Sequence, residues 1–332
     1  MSSPRKGSPK KGSPKKSATP AKSPTKKASS PTKRAASPKK SESPSKKKMK
    51  LVGYNNFVRH NPKLDKFAMH KFHHVEFYCQ DATNVSKRFG WGAGLKCVAK
   101  SDQSTGNHSY ASYVMQSGEL KFVISAPYSR ANHKKENVPP HPGFDIDFAH
   151  EFCCKHGLAV RAMAISVDDA KVAHEISVKN GAESVCPPKT LKDKKTNTTL
   201  VISEVKFYGE VVLRYVSGDY KGRYFPGYED VEGPDVGIGI ERLDHAVGNV
   251  PKLIDVVQYI CDFTGWHEFA EFTTEDVGTV DSGLNSMVLA NNAELILLPI
   301  NEPTFGTKRK SQIQTFLEQN EGPGLQHMAL KT

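Results

Sequence analysis

Two short patterns each return once along this chain, at four evenly spaced positions, and they limit the possible fold more than any other feature. The run Phe72-His73-His74-Val75 matches Leu243-Asp244-His245-Ala246, and Arg161-Ala162-Met163-Ala164-Ile165 matches Gln326-His327-Met328-Ala329-Leu330. The key positions 74, 162, 245 and 327 lie 88, 83 and 82 residues apart. Near-constant spacing of one motif marks repeated supersecondary units, each unable to bury its apolar face alone. Each unit opens with a strand and a helix and continues with strands, so two units pair to close a barrel-like half. The expectation is an α+β protein with a first half over residues 65–230 and a second over residues 240–332. Only the opening strand of the fourth unit is present before Thr332, so the second half is expected to be incomplete.

Local signals place the elements. Strands are expected at Phe72–Cys79, Ala111–Met115, Leu120–Ser125, Ala159–Val167, Arg242–Val247, Phe269–Phe272, Ser286–Ala290, Glu294–Pro299 and Gly324–Leu330. Helices are expected at Asp81–Phe89 (ended by Gly90), Asp145–His156, Asp168–Asn180, Pro251–Phe263 and Ser311–Gln319. The Gly- and Pro-rich stretch from Pro226 to Pro234 reads as a hinge between the halves.

Charge divides the chain at about residue 50. Residues 1–50 hold 17 Lys and Arg against Glu42 alone, a net of +16, whereas the remaining 282 residues hold 30 basic and 34 acidic residues, a net of −4. The overall +12 is therefore a property of the tail. That tail repeats Ser-Pro-Lys-Lys, as at Ser8–Lys11, Ser13–Lys16 and Ser37–Lys40, and has too few apolar residues to offset the entropy cost of ordering. It is expected to be disordered. The repeats resemble linker-histone tails, whose lysines release counterions from phosphates. This permits non-specific contact with nucleic acid through residues 1–50. The six cysteines form no Cys-x-x-Cys pair and read as buried, reduced thiols. No apolar run reaches membrane-spanning length, and no membrane role is expected.

The candidate chemistry lies at the repeat positions. A non-haem iron(II) oxygenase binds its metal through two His and one carboxylate on one face, leaving open positions for substrate and oxygen. His245 and His327 open successive units at the same place in the repeat. Their first-half counterparts are His74 and Ala162, so the first half lacks one ligand and is expected to hold no metal.

Several longer runs resemble the 4-hydroxyphenylpyruvate dioxygenase family, in its plant-type form. They are residues 242–249 (RLDHAVGN), 282–286 (SGLNS), 298–303 (LPINEP), 308–315 (KRKSQIQT) and 324–330 (GLQHMAL), with 72–77 (FHHVEF) and 125–128 (SAPY) upstream. The likeness covers about residues 55–332 and leaves out the tail. It implies the vicinal-oxygen-chelate fold of paired βαβββ modules. It implies Fe(2+) held by His245 and His327, and a substrate pocket lined by Ser286, Asn301, Gln312 and Gln326. It also implies conversion of 4-hydroxyphenylpyruvate and O2 to homogentisate and CO2 in tyrosine catabolism, by a homodimer. In the family the third ligand is a Glu well past the second His. Five residues follow His327 here, none of them Glu, so the expectation is a truncated and inactive chain.

Three other readings stand beside this one. The related hydroxymandelate synthase uses the same substrate and metal. A nucleic-acid-binding protein would act through its basic tail, with a degenerate enzyme as its body. A pseudoenzyme would bind a ligand without turnover. The expected compartment is the cytoplasm, with the plastid, or the nucleus through the tail, as alternatives.

Overall fold

The computed structural model describes residues 49–132, 139–276 and 283–332. The basic tail up to residue 48, and Ser282 of the run 282–286, lie outside the described residues.

The first nine strands make one sheet. In chain order they are β1 (Met69–Tyr78), β2 (Lys96–Ser101), β3 (Tyr110–Ser117), β4 (Leu120–Pro127), β5 (Ala159–Val167), β6 (Ser184–Lys192), β7 (Thr199–Tyr208), β8 (Val211–Gly218) and β9 (Glu229–Asp230). Helices α1 (Ala82–Ala93), α2 (Ile146–His156) and α3 (Ala170–Lys179) fall among them. The second sheet is built from β10 (Arg242–Asn249), β11 (His267–Phe272), β12 (Leu284–Ala290), β13 (Leu297–Pro303) and β14 (Gly324–Lys331), with α4 (Leu253–Thr264) and α5 (Gln312–Gln319). The strand orders are β6-β7-β8-β5-β1-β4-β3-β2-β9 and β11-β12-β13-β10-β14. Read from the central pair outward, β5-β1-β4-β3-β2 and β14-β10-β13-β12-β11 are the same arrangement, so the sequence repeat is a repeat of topology.

Short polar side chains start the helices. Asp81, Asp145, Asp169 and Ser311 each accept a hydrogen bond from a backbone N–H of the first turn. Most observed boundaries lie within a few residues of the expected ones, and the causes of three departures can be named. Helix α1 continues through Gly90 and stops at Gly94, which holds the left-handed φ of 62° that ends a helix. Strand β13 begins at Leu297 rather than Glu294. The Asn291 side chain accepts from the N–H groups of Leu295 and Ile296 (3.1 and 3.0 Å) and winds residues 291–296 into a turn. The stretch expected as a hinge is pinned: Glu229–Asp230 pairs with Ala99 and Lys100, and Val231 and Gly233 donate to Val98 and Cys97. It covers the free edge of β2, a device that blocks unwanted strand pairing. All six cysteines are unbridged, but only Cys79, Cys153 and Cys186 are buried, with Cys97 and Cys261 half-buried and Cys154 exposed. No helix among the described residues is long and apolar enough to cross a membrane.

Residues Lys48–Thr332 form one compact unit. Helix α4 buries Leu253, Val257, Ile260 and Phe263 in the same core as Met287, Leu289, Leu298 and Ile300. Trp266 joins the two sheets, with its ring edge-on to Phe207 and its indole N–H on the Met69 sulfur at 3.2 Å. The segment before β1 crosses to the second sheet. Gly53 and Tyr54 donate to Glu271 and Asp276, Tyr54 stacks on Phe272, and Lys66 N–H reaches Thr264 O at 2.9 Å. Gly265 makes that last approach possible. It has φ of 80°, and a Cβ there would lie 2.0 Å from the Leu64 carbonyl oxygen.

The first sheet encloses a buried polar cluster. Arg214, 1% exposed, places Nε 2.7 Å from Glu204 and Nη2 2.7 Å from Glu76. Its Nη1 donates to His74 Nε2 at 2.9 Å. His141 contacts Glu204 at 3.1 Å, and the Ser125 hydroxyl donates to Glu76 at 2.7 Å. Burial works against the Arg214 charge, but Glu76 and Glu204 outweigh it and raise its pKa further. Burial and neighbouring cations push His73 down to about 3 and hold His74 well below its usual range, so both stay neutral.

Two outcomes follow from this architecture. Gly265→Ala combines a left-handed backbone with a backbone collision, and should lower the unfolding free energy by at least about 2 kcal/mol in urea denaturation. Stability should also fall as pH drops from 6.5 toward 3. The unfolded chain protonates His73 and His74 there, whereas the folded one keeps them neutral. Each group contributes up to about 1.4 kcal/mol per pH unit. Asp65, raised to about 6 by burial, and Glu268, also raised by burial, oppose this. Urea midpoints compared at pH 7.5 and 4.5 measure the net effect.

Candidate metal centre

Whether two histidines on neighbouring strands can share a ligand depends on which face of the sheet each one takes. In a regular strand, residues alternate faces, and an extra residue on one strand reverses the side chains beyond it. Strands β10 and β14 carry two such bulges. Leu243 pairs with Leu330 and His245 with Ala329, so Asp244 is the extra residue on β10. Val247 pairs with His327 and Gly248 with Leu325, so Gln326 is the extra residue on β14. The bulges keep Leu243, Leu325, Met328 and Leu330 on the core side, where they pack. They turn His245 and His327 together onto the opposite face. The two imidazole centroids lie 6.2 Å apart at 77°.

The bulged residues also fix the tautomers. Asp244 Oδ2 lies 3.0 Å from His245 Nδ1, and Gln326 Oε1 lies 2.9 Å from His327 Nδ1. Both oxygens accept, so each Nδ1 donates and each Nε2 is left with a free lone pair. A neighbour that holds the far nitrogen of a ligating histidine is the usual outer support of a metal site. Partial burial, then the nearby His245, lowers the pKa of His327 and favours the neutral form that a metal needs. Asp244 could have been found in the sequence only as the residue that precedes His245, and Gln326 was singled out there for the pocket and not as an imidazole support. Their supporting role depends on the bulges.

The predicted pocket residues fall into two pairs. Ser286 lies directly across from Asn301, and Asn301 directly across from Asn249. His245 pairs with Leu297, so Asn301, four residues along β13, shares the histidine face. Asn301 Nδ2 donates to Asn249 Oδ1 at 3.2 Å. Asn249 was not singled out from sequence. It is completely buried, its Nδ2 has no hydrogen-bond partner, and its place four residues after His245 on one strand was the available signal. The second pair is Gln312 and Gln326. Ser311 caps α5 and donates its hydroxyl to Gly283 O at 2.7 Å, which sets Gln312 at the helix start. Gln312 and Gln326 line an open cleft of about 500 Å³ together with Arg309, Lys310 and Phe316.

Two imidazoles with free Nε2 atoms on an open face suit a divalent transition metal. Among the described residues, no group of three or more His, Cys, Asp or Glu is placed to hold a metal ion. The donor set present therefore accounts for two of the three ligands expected from the sequence.

The first sheet repeats both bulges. Phe72 pairs with Ile165 and His74 with Ala164, which leaves His73 extra. Glu76 pairs with Ala162 and Phe77 with Val160, which leaves Arg161 extra. His73 Nδ1 lies 2.7 Å from His74 Nδ1, the same local support that His245 receives from Asp244.

No family model matches the chain. It is 57% identical over 286 residues to a 4-hydroxyphenylpyruvate dioxygenase of Daucus carota, an alignment that covers 85% of this chain and 64% of that protein. The fungal counterpart from Pyricularia oryzae is 31% identical over 281 residues, 80% of this chain and 65% of that one. The chain thus spans just under two thirds of the length of these relatives. Among solved structures, a mutant of 4-hydroxymandelate synthase from Streptomyces coelicolor superposes with a TM-score of 0.63 at 19% identity. That match covers 79% of this chain and 71% of the synthase, and it establishes the shared vicinal-oxygen-chelate fold. Over the aligned residues the chain is similar to 4-hydroxyphenylpyruvate dioxygenases, more so to the carrot protein than to the fungal one.

Proposed function

We propose that this protein acts as a 4-hydroxyphenylpyruvate dioxygenase, converting 4-hydroxyphenylpyruvate and O2 to homogentisate and CO2 in tyrosine catabolism. The observation that carries this reading is the paired presentation of His245 and His327, each held through Nδ1 by the residue before it. His245 and His327 would hold Fe(2+) through Nε2. Bound there, ferrous iron would supply the Lewis acidity and redox chemistry that oxygen activation requires.

The remaining roles belong to the protein. Asp244 and Gln326 keep both imidazoles in the ligating tautomer. Asn301 and Ser286 offer neutral hydrogen-bonding groups on the face that the histidines share, able to orient a carboxylate or phenol without a competing charge. Gln312 and Gln326 do the same from the cleft beneath α5, where Phe316 supplies an aromatic wall.

The experiment is product analysis after incubation with Fe(2+), ascorbate and 4-hydroxyphenylpyruvate. It is run on the 332-residue chain and on a version continued with the remaining third of the carrot relative. Homogentisate from the continued protein is the expected result. Release of 4-hydroxymandelate would replace the reading with synthase chemistry, and a folded, iron-loaded protein with no product would overturn it. Metal affinity gives a second check. Asp244→Ala should weaken Fe(2+) or Co(2+) binding about ten- to a hundredfold, as loss of an outer support does elsewhere. His245→Ala or His327→Ala should weaken it further, as read in a chelator-competition titration.

A further inference from the structure

Strands β1 and β4 meet the start of β10 around a cavity of about 240 Å³. Its wall is mainly apolar, from Phe72, Leu120, Leu243 and Leu295. Leu243 enters it from the face of β10 opposite His245, and the cavity shares no lining residue with the cleft beneath α5. Its charged groups are Lys71, Lys121, Arg242 and Glu119. Glu119 is taken up by Lys71 at 2.6 Å, and Arg242 keeps a longer contact of 3.4 Å to Asp244. Nothing among the described residues pairs with the Lys121 ammonium. Burial, then Lys71, lowers its pKa, and no acid offsets this. A cation held partly out of water without a counter-charge is unfavourable until an anion joins it.

The buried ion cluster supplies a second donor to the same cavity. Arg214 Nη1 donates to His74 Nε2 at 2.9 Å, so the proton of that neutral ring sits on Nδ1. His74 Nδ1 in turn lies 2.7 Å from His73 Nδ1, which must accept. His73 is neutral too, so its proton is on Nε2, and no described residue accepts it. His73 lines the cavity, and Arg214 thus fixes, through two imidazoles, an N–H with no protein partner. An apolar wall with a few unsatisfied donors of one sign is the make-up of a small-molecule site.

We propose that this cavity binds a small aromatic carboxylate, its carboxylate on the Lys121 ammonium and the His73 Nε2–H and its ring against Phe72 and Leu243. The size agrees, since a cavity of about 150 Å³ already takes benzene. Hydrogen bonds from an ammonium to a carboxylate are among the stronger ones, and Arg242 adds a second positive charge at the rim. Bound there, the ligand would bridge β1 and β4 of the first sheet to β10 of the second. This inference does not depend on the proposed activity.

The test is a calorimetric titration of the metal-free 332-residue chain with benzoate, benzamide and inorganic phosphate. Benzoate should bind saturably, and benzamide and phosphate at least about tenfold more weakly, because each lacks either the charge or the ring. Lys121→Met keeps the apolar stem and removes the charge. It should weaken benzoate binding at least about tenfold while melting no lower than the parent, and Lys121→Arg should retain most of the affinity. The His73 Nε2–H resonance reads the same site without any substitution, and should move downfield with benzoate but not with benzamide. The assignment is overturned if millimolar benzoate shows no saturable binding, or if the His73 signal stays in place at saturation. It is also overturned if phosphate binds as tightly as benzoate, which would make the cavity a general anion patch, or if a folded Lys121→Met chain keeps the parent's affinity.

Discussion

The register of one antiparallel strand pair, used twice, is the constraint on which the rest of this structure depends. A slip of one residue in such a pair sends every following side chain to the other face. The two central pairs share two slips, at His73 and Arg161 in the first sheet and at Asp244 and Gln326 in the second, and the first sheet has a further one between Met69 and Phe72. Between them they let leucines on both sides of a histidine face the core while the histidine faces away. A regular strand could not present Leu243 and His245 to opposite sides, because residues two apart share a face.

The two sheets use the same frame in opposite electrostatic ways. In the second, imidazoles and amides line an open face. In the first, the corresponding face is covered, and Arg214 with Glu76 and Glu204 forms a fully buried ion cluster. Such clusters rarely add net stability over apolar packing, but breaking one partner away is strongly destabilising. The first sheet is thereby locked in one arrangement. Trp266, Gly265 and the segment before β1 connect the second sheet to it.

The geometry gives a structural meaning to the strings that the sequence singled out. RLDHAVGN is a strand with a bulge at its Asp, a ligand-type His, and a buried Asn that bonds Asn301. GLQHMAL is its antiparallel partner with a bulge at its Gln. The tail, with its separate charge and composition, takes no part in that logic.

The sequence by itself determined the unit size, the four equivalent positions and most element types. These depend on local patterns: alternation for strands, Asp and Ser caps for helices, and spacing for the repeat. It also placed His245 and His327 as a matched pair, because repetition survives in the residues. It misjudged α1, β13 and the linker at 226–234, where a later glycine, an Asn291 turn and the free edge of β2 decide the outcome. Only the tertiary structure decided the faces. Bulges are properties of two strands in register, so neither Asp244 and Gln326 as imidazole supports, nor Asn249 beside Asn301, nor the guanidinium beneath His74 can be read from one strand alone. Arg214 and His74 are 140 residues apart in sequence, and the sheet brings them within 2.9 Å.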